Sequence, residues 1–292
     1  MPELPEVETL VRGLRRPLVG RRITVVRLGK TDFMDDPAAL QRDVPGCRIE
    51  EVTRHGKFIV MRLSPSKASS AAAGLLVHLG MTGHLAVASA DEPIVNHTHA
   101  FFALDDGREL RYTDSRRFGR MGIFGEVALQ KVLAPLGHDP LEISRRDFAL
   151  RLARRRARIK ALLLDQRVLR GVGNIYADES LWRARIHPAR LAASLTAKQV
   201  AALHVAIGEV LKQAIESRGS SISNFRDAQG QPGEYQLRHR AYGREGKPCF
   251  RCRSNIRRIL VAGRSSFFCP RCQRTPRAPG SAGRSAKKKT KH

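Results

Sequence analysis

No stretch of about 20 apolar residues occurs in the chain, which argues against a membrane-spanning helix. The N-terminus also lacks the basic segment followed by an apolar one that marks a secretion signal. Acidic residues are scarce: 27 Asp plus Glu stand against 53 Lys plus Arg, leaving a net charge of +26 and a pI near 11.2. Such an imbalance predicts attraction to a polyanion, because each phosphate that meets a cation releases condensed counterions. Nucleic acid, a ribosome and an anionic membrane surface all meet that requirement. Cysteine is scarce as well. There are five, four of them in two close pairs, a usage that points to metal binding in a reducing compartment rather than to disulfides. What remains is ample: 292 residues, 42% of them hydrophobic, suffice for two or three domains with a sizeable core. A soluble intracellular protein that binds nucleic acid is the expected class.

The pattern changes along the chain. From Arg21 to Phe124 short apolar runs alternate with turn residues, as in RRITVVRL, KFIVMRL, GLLVHLGM and GRMGIFG. HAFFALDDGRELRYTD reads as a hairpin in which Asp106-Gly107 supplies the positive φ that a tight turn needs. Residues 64–73, SPSKASSAAA, read as a loose surface loop. After about Lys131 the spacing turns helical. Ser144 and Asp147 form a capping box ahead of Phe148 and Leu152. Thr196 and Gln199 form another, opening a helix whose face is Val200, Leu203, Ile207, Val210, Leu211 and Ala214, with Gly219 as its stop. Residues 217–246 are polar and glycine-rich, a long loop, and 275–292 have the composition of a disordered basic tail. The first ten residues, MPELPEVETL, crowd Pro2, Glu3, Pro5, Glu6 and Glu8 together. Pro5, Glu6 and Glu8 suit the first turn of a helix with Val7, Leu10, Val11 and Leu14 on its apolar stripe. Pro2 and Glu3 precede that helix and have no use in it.

Cys249-x-x-Cys252, sixteen intervening residues and Cys269-x-x-Cys272 form the strongest single signal. Two such knuckles place four thiolates tetrahedrally and select one structural zinc ion, with no open position for a substrate. The segment between them reads as two strands, Ile256, Ile259 and Val261 on the first and Phe267-Phe268 on the second, joined by a turn at Ala262-Gly263-Arg264-Ser265. A ribbon this short needs its metal to fold. Cys47 reads as an inert buried thiol, and His97 and His99 as strand residues rather than a metal pair.

PELPEVETL, HLGMTG at 78–83, TDSRRFG at 113–119 and GVGNIYADESLW at 171–182 occur in order, followed by the four-cysteine ribbon. By this ordered set the chain, from about residue 2 to 274, resembles the bacterial formamidopyrimidine-DNA glycosylases, and PELPE in place of PEGPE favours the oxidised-purine branch over the oxidised-pyrimidine one. The resemblance implies an α+β architecture: an N-terminal β-sandwich with flanking helices over 2–130, a helix–two-turn–helix domain with a lid loop over 131–235, and a zinc ribbon over 236–274, ahead of the tail at 275–292. It implies Pro2 as a nucleophilic amine once Met1 is removed, Glu3 as the proton-transfer group, Lys57 near the sugar and phosphates, and Glu6 in support. Met81, Arg116 and Phe118 would fill the space left by an extruded base. His78, Lys160, Asn174 and Arg264 would contact phosphates, Asn174 as the cap of a helix whose free N–H groups form an anion site. The lid would start after Gly219, where Glu234 stands in place of a common aromatic. The implied partner is double-stranded DNA bearing 8-oxoguanine or formamidopyrimidines, bound by a monomer that cuts the strand by β,δ-elimination. An oxidised-pyrimidine enzyme on the same scaffold and a noncatalytic zinc-ribbon DNA-binding protein are the alternatives.

Overall fold

The computed structural model of the protein describes residues 1–65, 73–222 and 225–274. Residues 66–72 of the expected loop at 64–73, residues 223–224 and the whole expected tail at 275–292 lie outside the described residues.

Helix α1 (Leu4–Leu18) is closed at its start by a capping box: Glu3 is the N-cap, and its backbone N–H donates to Glu6 Oε2 at 2.8 Å. Glu3 therefore belongs to the helix that the sequence pattern placed after it. The α1 stripe then divides between two cores. Leu4 packs into the helical half of the molecule, whereas Val7, Leu10, Val11, Leu14 and Leu18 pack into the β half.

The β half is two four-stranded antiparallel sheets. One has the order β1 (Ile23–Leu28), β6 (Thr98–Leu104), β7 (Arg108–Thr113), β5 (His84–Ser89); the other has β2 (Ile49–His55), β3 (Phe58–Leu63), β4 (Ala73–His78), β8 (Arg120–Gly125). Helix α2 (Pro37–Asp43) is capped by Asp36, whose side chain accepts from Ala39 N–H at 2.9 Å. Strand alternation explains the run KFIVMRL. Ile59, Met61 and Leu63 face the sandwich core, while Val60 and Leu76 of β4 face the other way, onto Leu129 of α3 (Glu126–Leu133). A strand buried on both faces reads as a continuous apolar run. Helix α3 crosses the expected boundary at residue 130 and packs on the sandwich through β4 and β8.

The helical half holds α4 (Arg145–Leu152), α5 (Ile159–Leu164), α6 (Asn174–Arg183) and α7 (Ala197–Glu216). Thr196 caps α7 with Gln199 in the capping box that the spacing predicted, whereas Ser144 caps α4 through its side chain alone, because the Asp147 carboxylate takes the Ser144 hydroxyl rather than its backbone N–H. α7 ends at Glu216, and Gly219 (φ 78°) returns its N–H to the Ala214 carbonyl at 2.7 Å. The ribbon is one hairpin, β9 (Arg257–Val261) and β10 (Arg264–Phe268). Its turn is tighter than the sequence suggested: Ala262 and Gly263 alone make it, both at positive φ, and Arg264 opens the second strand.

One glycine holds two loops in contact. Gly80 adopts φ +59°, and a Cβ there would stand 2.3 Å from the Phe118 backbone, so the loop after β4 and the loop before β8 touch main chain to main chain. Gly80→Ala should therefore cost more than the roughly 1–2 kcal/mol that a left-handed backbone alone costs an L-residue. Chemical denaturation should show that loss, and an unchanged midpoint would mean that the loops do not need this approach.

Candidate active site and nucleic-acid interface

The sandwich, the helical half and the ribbon meet around a cavity of about 530 Å³. Pro2, Glu3, Glu6, Lys57, Met81 and Arg264 all line it, so six residues that the sequence placed in one site are brought together. Met1 is exposed and also borders the cavity, whereas Pro2 is buried against its wall.

Glu3 is fixed by α6. Its Oε1 accepts from Ile175 N–H at 3.0 Å and its Oε2 from Tyr176 N–H at 3.4 Å, so the carboxylate from the chain's start caps a helix that begins some 170 residues later. This changes the reading of GVGN. The N-cap is Gly173, not Asn174, and the helix N-terminus is occupied by Glu3 rather than open to a phosphate. Gly173 is needed because a Cβ there would lie 2.3 Å from the Glu3 carboxyl carbon. Asn174 is the first helical residue, lines the cavity, and keeps its Oδ1 buried without a partner. Burial raises the Glu3 pKa above the ordinary carboxylate value, and Lys57 together with the two N–H donors opposes the rise.

Glu6 lies beside it. Burial, then the charge of Glu3, pushes its carboxyl up to about 7. Its Oε1 accepts from the Tyr176 hydroxyl and from Ser220 N–H at 2.7 Å. Lys57 follows the turn between β2 and β3. Gly56 there adopts φ +63°, and a Cβ at that position would lie 3.0 Å from the Arg170 Cβ. Burial lowers the Lys57 pKa, with Glu3 and Glu6 holding it up and Arg264 adding to the fall. Burial brings the amine's pKa down and those of the two carboxyls up, which narrows the difference in proton affinity among them and suits the group to proton transfer.

His78 is half-buried at the end of β4, and its Nδ1 accepts from Gly80 N–H at 3.1 Å. Burial, Lys57 and Arg120 push its pKa down to about 4, so it is neutral and its remaining nitrogen carries the donor. Met81 and Phe118 are 42% and 56% exposed, which removes them from the core, and Arg116 stacks over the Phe118 ring at 4.4 Å. Their loops share an anchor that the sequence reading did not single out. Fully buried Asp114 accepts from Thr82 Oγ1 and Arg116 N–H through Oδ1, and from Tyr112 Oη at 3.1 Å and Gly119 N–H at 3.0 Å through Oδ2. TDSRRFG contains Asp114, Arg116 and Gly119, but the bond to Thr82 on the other loop is visible only in the fold.

Lys160 does not belong with the phosphate contacts. It is fully buried, its ammonium 2.7 Å from Asp178 Oδ1 and 2.8 Å from the Ser265 carbonyl, and an enclosed cation has no path to a phosphate. Its place is to tie α5 and α6 to β10, whose Phe267 N–H also donates to Asp178 Oδ2 at 2.9 Å. Glu179, the next residue, accepts the N–H groups of Arg240, Ala241 and Tyr242. The docked ribbon then presents Arg264, exposed, at the cavity beside Lys57.

In the ribbon the sulfur atoms of Cys249, Cys252, Cys269 and Cys272 all lie within 4.8 Å of one another. Four thiolates bonded to zinc at about 2.3 Å need sulfur separations of that order, and among the described residues this is the one such cluster, so the donor set fits one structural zinc ion. Cys47 is separate: buried, with its thiol donating to the Asp43 carbonyl at 3.2 Å.

Three family profiles match in the order expected: the formamidopyrimidine-DNA glycosylase N-terminal domain over residues 1–121, the H2TH domain of the same enzymes over 136–226, and the zinc finger found in formamidopyrimidine-DNA glycosylase and isoleucyl-tRNA synthetase over 246–275. Among characterised relatives, a formamidopyrimidine-DNA glycosylase of Solibacter usitatus is 47% identical over 94% of this chain and 100% of its own, and one of Herpetosiphon aurantiacus is 46% identical over 94% and 100%. A crystal structure of a single-residue variant of the Lactococcus lactis enzyme, in complex with DNA containing a formamidopyrimidine-dG, superposes with a TM-score of 0.86 at 32% identity, covering 94% of this chain and 100% of that one. The enzyme of Thermus thermophilus superposes with a TM-score of 0.81 at 41% identity, covering 93% and 98%.

Lys160→Met leaves the Asp178 carboxyl buried without its cation and should destabilise the protein by about 3–5 kcal/mol, with most of the loss recovered in the double variant with Asp178→Asn. Thermal melts test this; a variant of normal stability whose DNA binding loses salt dependence would restore Lys160 to the phosphate contacts. Zinc removal by a chelator should abolish amide-exchange protection across 249–272 and leave the sandwich strands protected. Protection that survives metal loss would show a ribbon that folds on its own.

Proposed function

The chain belongs to the formamidopyrimidine-DNA glycosylase family, whose members are DNA repair glycosylases, and on that basis we propose that it excises oxidised purines from duplex DNA and then cuts the strand as a lyase. The observation that carries this reading is the shared cavity in which Pro2, Glu3 and Lys57 stand together with Met81 at the rim. With Met1 removed, the secondary amine of Pro2 opens into that space. Its nitrogen forms a bond to C1′ of an extruded nucleotide as the bond from C1′ to the base breaks, and the base leaves with the electron pair and takes up a proton. Glu3 protonates the sugar ring oxygen as the ring opens to the iminium, and the amine gives up its own proton. The iminium acidifies the neighbouring sugar protons, so elimination breaks the phosphate ester on the 3′ side and then the one on the 5′ side. A Glu3 that is raised by burial and lowered by Lys57 is suited to hold a proton in one step and release it in another.

Extrusion costs a few kcal/mol of stacking and pairing, and the exposed Met81, Arg116 and Phe118 are placed to occupy the gap. Asn174 and Arg264 line the cavity and His78 lies close enough to Lys57 to feel its charge, and the three remain as phosphate contacts in this proposal. The division into 2–130, 131–235 and 236–274 belongs to it too, with α3 straddling the first boundary.

Duplexes bearing 8-oxoguanine, formamidopyrimidine or thymine glycol, each opposite all four bases, test the substrate class; a preference for thymine glycol would overturn the purine reading. Glu3→Gln should lower single-turnover excision by at least about 10²-fold. Borohydride should trap a covalent adduct at Pro2, and a chain that retains Met1 yet traps normally would rule out the terminal amine.

A further inference from the structure

Glu6 ends a buried line of hydroxyl groups that the reaction above does not use. Its Oε1 accepts from the Tyr176 hydroxyl; Tyr176 Oη lies 3.3 Å from Ser220 Oγ, which lies 3.1 Å from His239 Nε2. All four side chains are buried, and they come from α1, α6, the segment after α7 and the residue that closes the one-turn helix Tyr235–Arg238. Four separate segments thus converge on one chain of contacts. The tautomer that carries its proton on Nδ1, toward the Tyr242 backbone, makes Nε2 the acceptor of the Ser220 hydroxyl, and the line is built on that tautomer.

Counting protons shows what such a line can do. With Glu6 ionised, Tyr176 donates to Glu6 and Ser220 donates to His239. With Glu6 protonated, Glu6 donates to Tyr176, Tyr176 to Ser220 and Ser220 to His239. Neither state leaves a buried hydroxyl proton unpaired, so neither incurs the usual penalty for an unsatisfied polar group. We propose that Tyr176, Ser220 and His239 are positioning residues that form a relay for Glu6, giving its carboxyl a donor when ionised and an acceptor when protonated, so that Glu6 takes up and returns one proton at the cavity wall. The proton comes from the cavity and goes back to it; no bond other than O–H changes. Glu3, Lys57 and the chain's first residues face Glu6 from the cavity side, Tyr176 and Ser220 from the other, while Arg244, Tyr242 and Tyr235 face His239. The Glu6 carboxyl near 7 is poised to titrate, and His239, pushed down to about 4 by burial, stays neutral while it does.

The relay predicts shifts of opposite sign. Tyr176→Phe removes the hydroxyl that pairs with Glu6 in either state and leaves it only the Glu3 and Ser220 N–H groups; because a bond to a charged acceptor is about twice as strong as a neutral one, the ionised form loses more and the Glu6 titration should rise by about one pH unit. Ser220→Ala and His239→Leu break the line only when Glu6 is protonated, stranding a hydroxyl proton, so they should lower it; His239→Gln keeps an acceptor and should leave it near wild type. Infrared titration of the full chain, following the protonated-carboxyl band that Glu6→Gln abolishes, reads this without catalysis, and the pH limb of single-turnover excision should move the same way. Should Tyr176→Phe fail to fold, the fall in Ser220→Ala and its absence in His239→Gln carry the test. Identical titrations in all variants, or shifts of one sign accompanied by lower melting temperatures, would reduce these residues to packing. The relay rests on the glycosylase reading only for its use: a wild-type protein that titrates as expected but excises nothing overturns that reading and not the relay.

Discussion

The carboxylate of Glu3 on the N-terminus of α6 is the contact on which the site depends. A helix end offers unsatisfied N–H groups and the positive end of a dipole, and here they are met by a side chain from the other half of the molecule. The consequence is positional. Glu3 cannot leave α6 without uncovering both donors, and Leu4, one residue on, is seated in the helical core while Val7 and Leu10 are seated in the sandwich core. The first turn of α1 is therefore held from both sides, and Pro2 inherits its place at the cavity wall from residues that follow it.

The same logic recurs on the other wall. Asp114 gathers four donors from two loops, and Gly80 lets those loops touch, so that Met81, Arg116 and Phe118 stand out from a rigid base. Large apolar side chains at 42% and 56% exposure need such a base; without it they would fold back onto the core and lose their reach. Buried carboxylates with several backbone donors, Glu3, Asp114 and Glu179, are the recurring device by which a strongly basic chain uses its few acids.

Much of this was legible in the sequence, and what was not has a common cause. The side-chain cap at Ser144, the capping box at Thr196 and the period-2 runs of the sandwich are set by neighbours within a few residues, so spacing displays them, whereas the ribbon turn proves two residues shorter than its four-residue pattern. Pro2, Glu3, Lys57 and Met81 were gathered by motif resemblance, and the fold puts them on one cavity. The capping role expected of Asn174 and the phosphate role that the resemblance implies for Lys160 fail because the deciding partners are remote in sequence. GVGN does open a helix, yet the carboxylate that caps it arrives from Glu3, and Lys160 turns inward to Asp178. Ser220 and His239 lie in none of the motifs and Tyr176 is one residue among twelve in GVGNIYADESLW, since a hydroxyl line assembled from four segments leaves no periodic trace.

Helix α6 connects these observations into one mechanical argument. Ten residues at a rise of about 1.5 Å each span some 15 Å, from Glu3 at one end to the ribbon at the other. Along that length Tyr176 meets Glu6, Asp178 meets Lys160 and Phe267, Glu179 meets the backbone of 240–242, and Trp182 lies under the Arg251 guanidinium at 3.9 Å. Four consecutive contacts of that kind leave the helix no freedom to rotate or slide. The zinc ligands fix the knuckles, the knuckles and Asp178 fix β10, and β10 begins with Arg264 at the cavity. The metal thus takes no part in bond making, yet the distance between Arg264 and the carboxyls is set through it, because the ribbon has no core large enough to hold that strand in place alone.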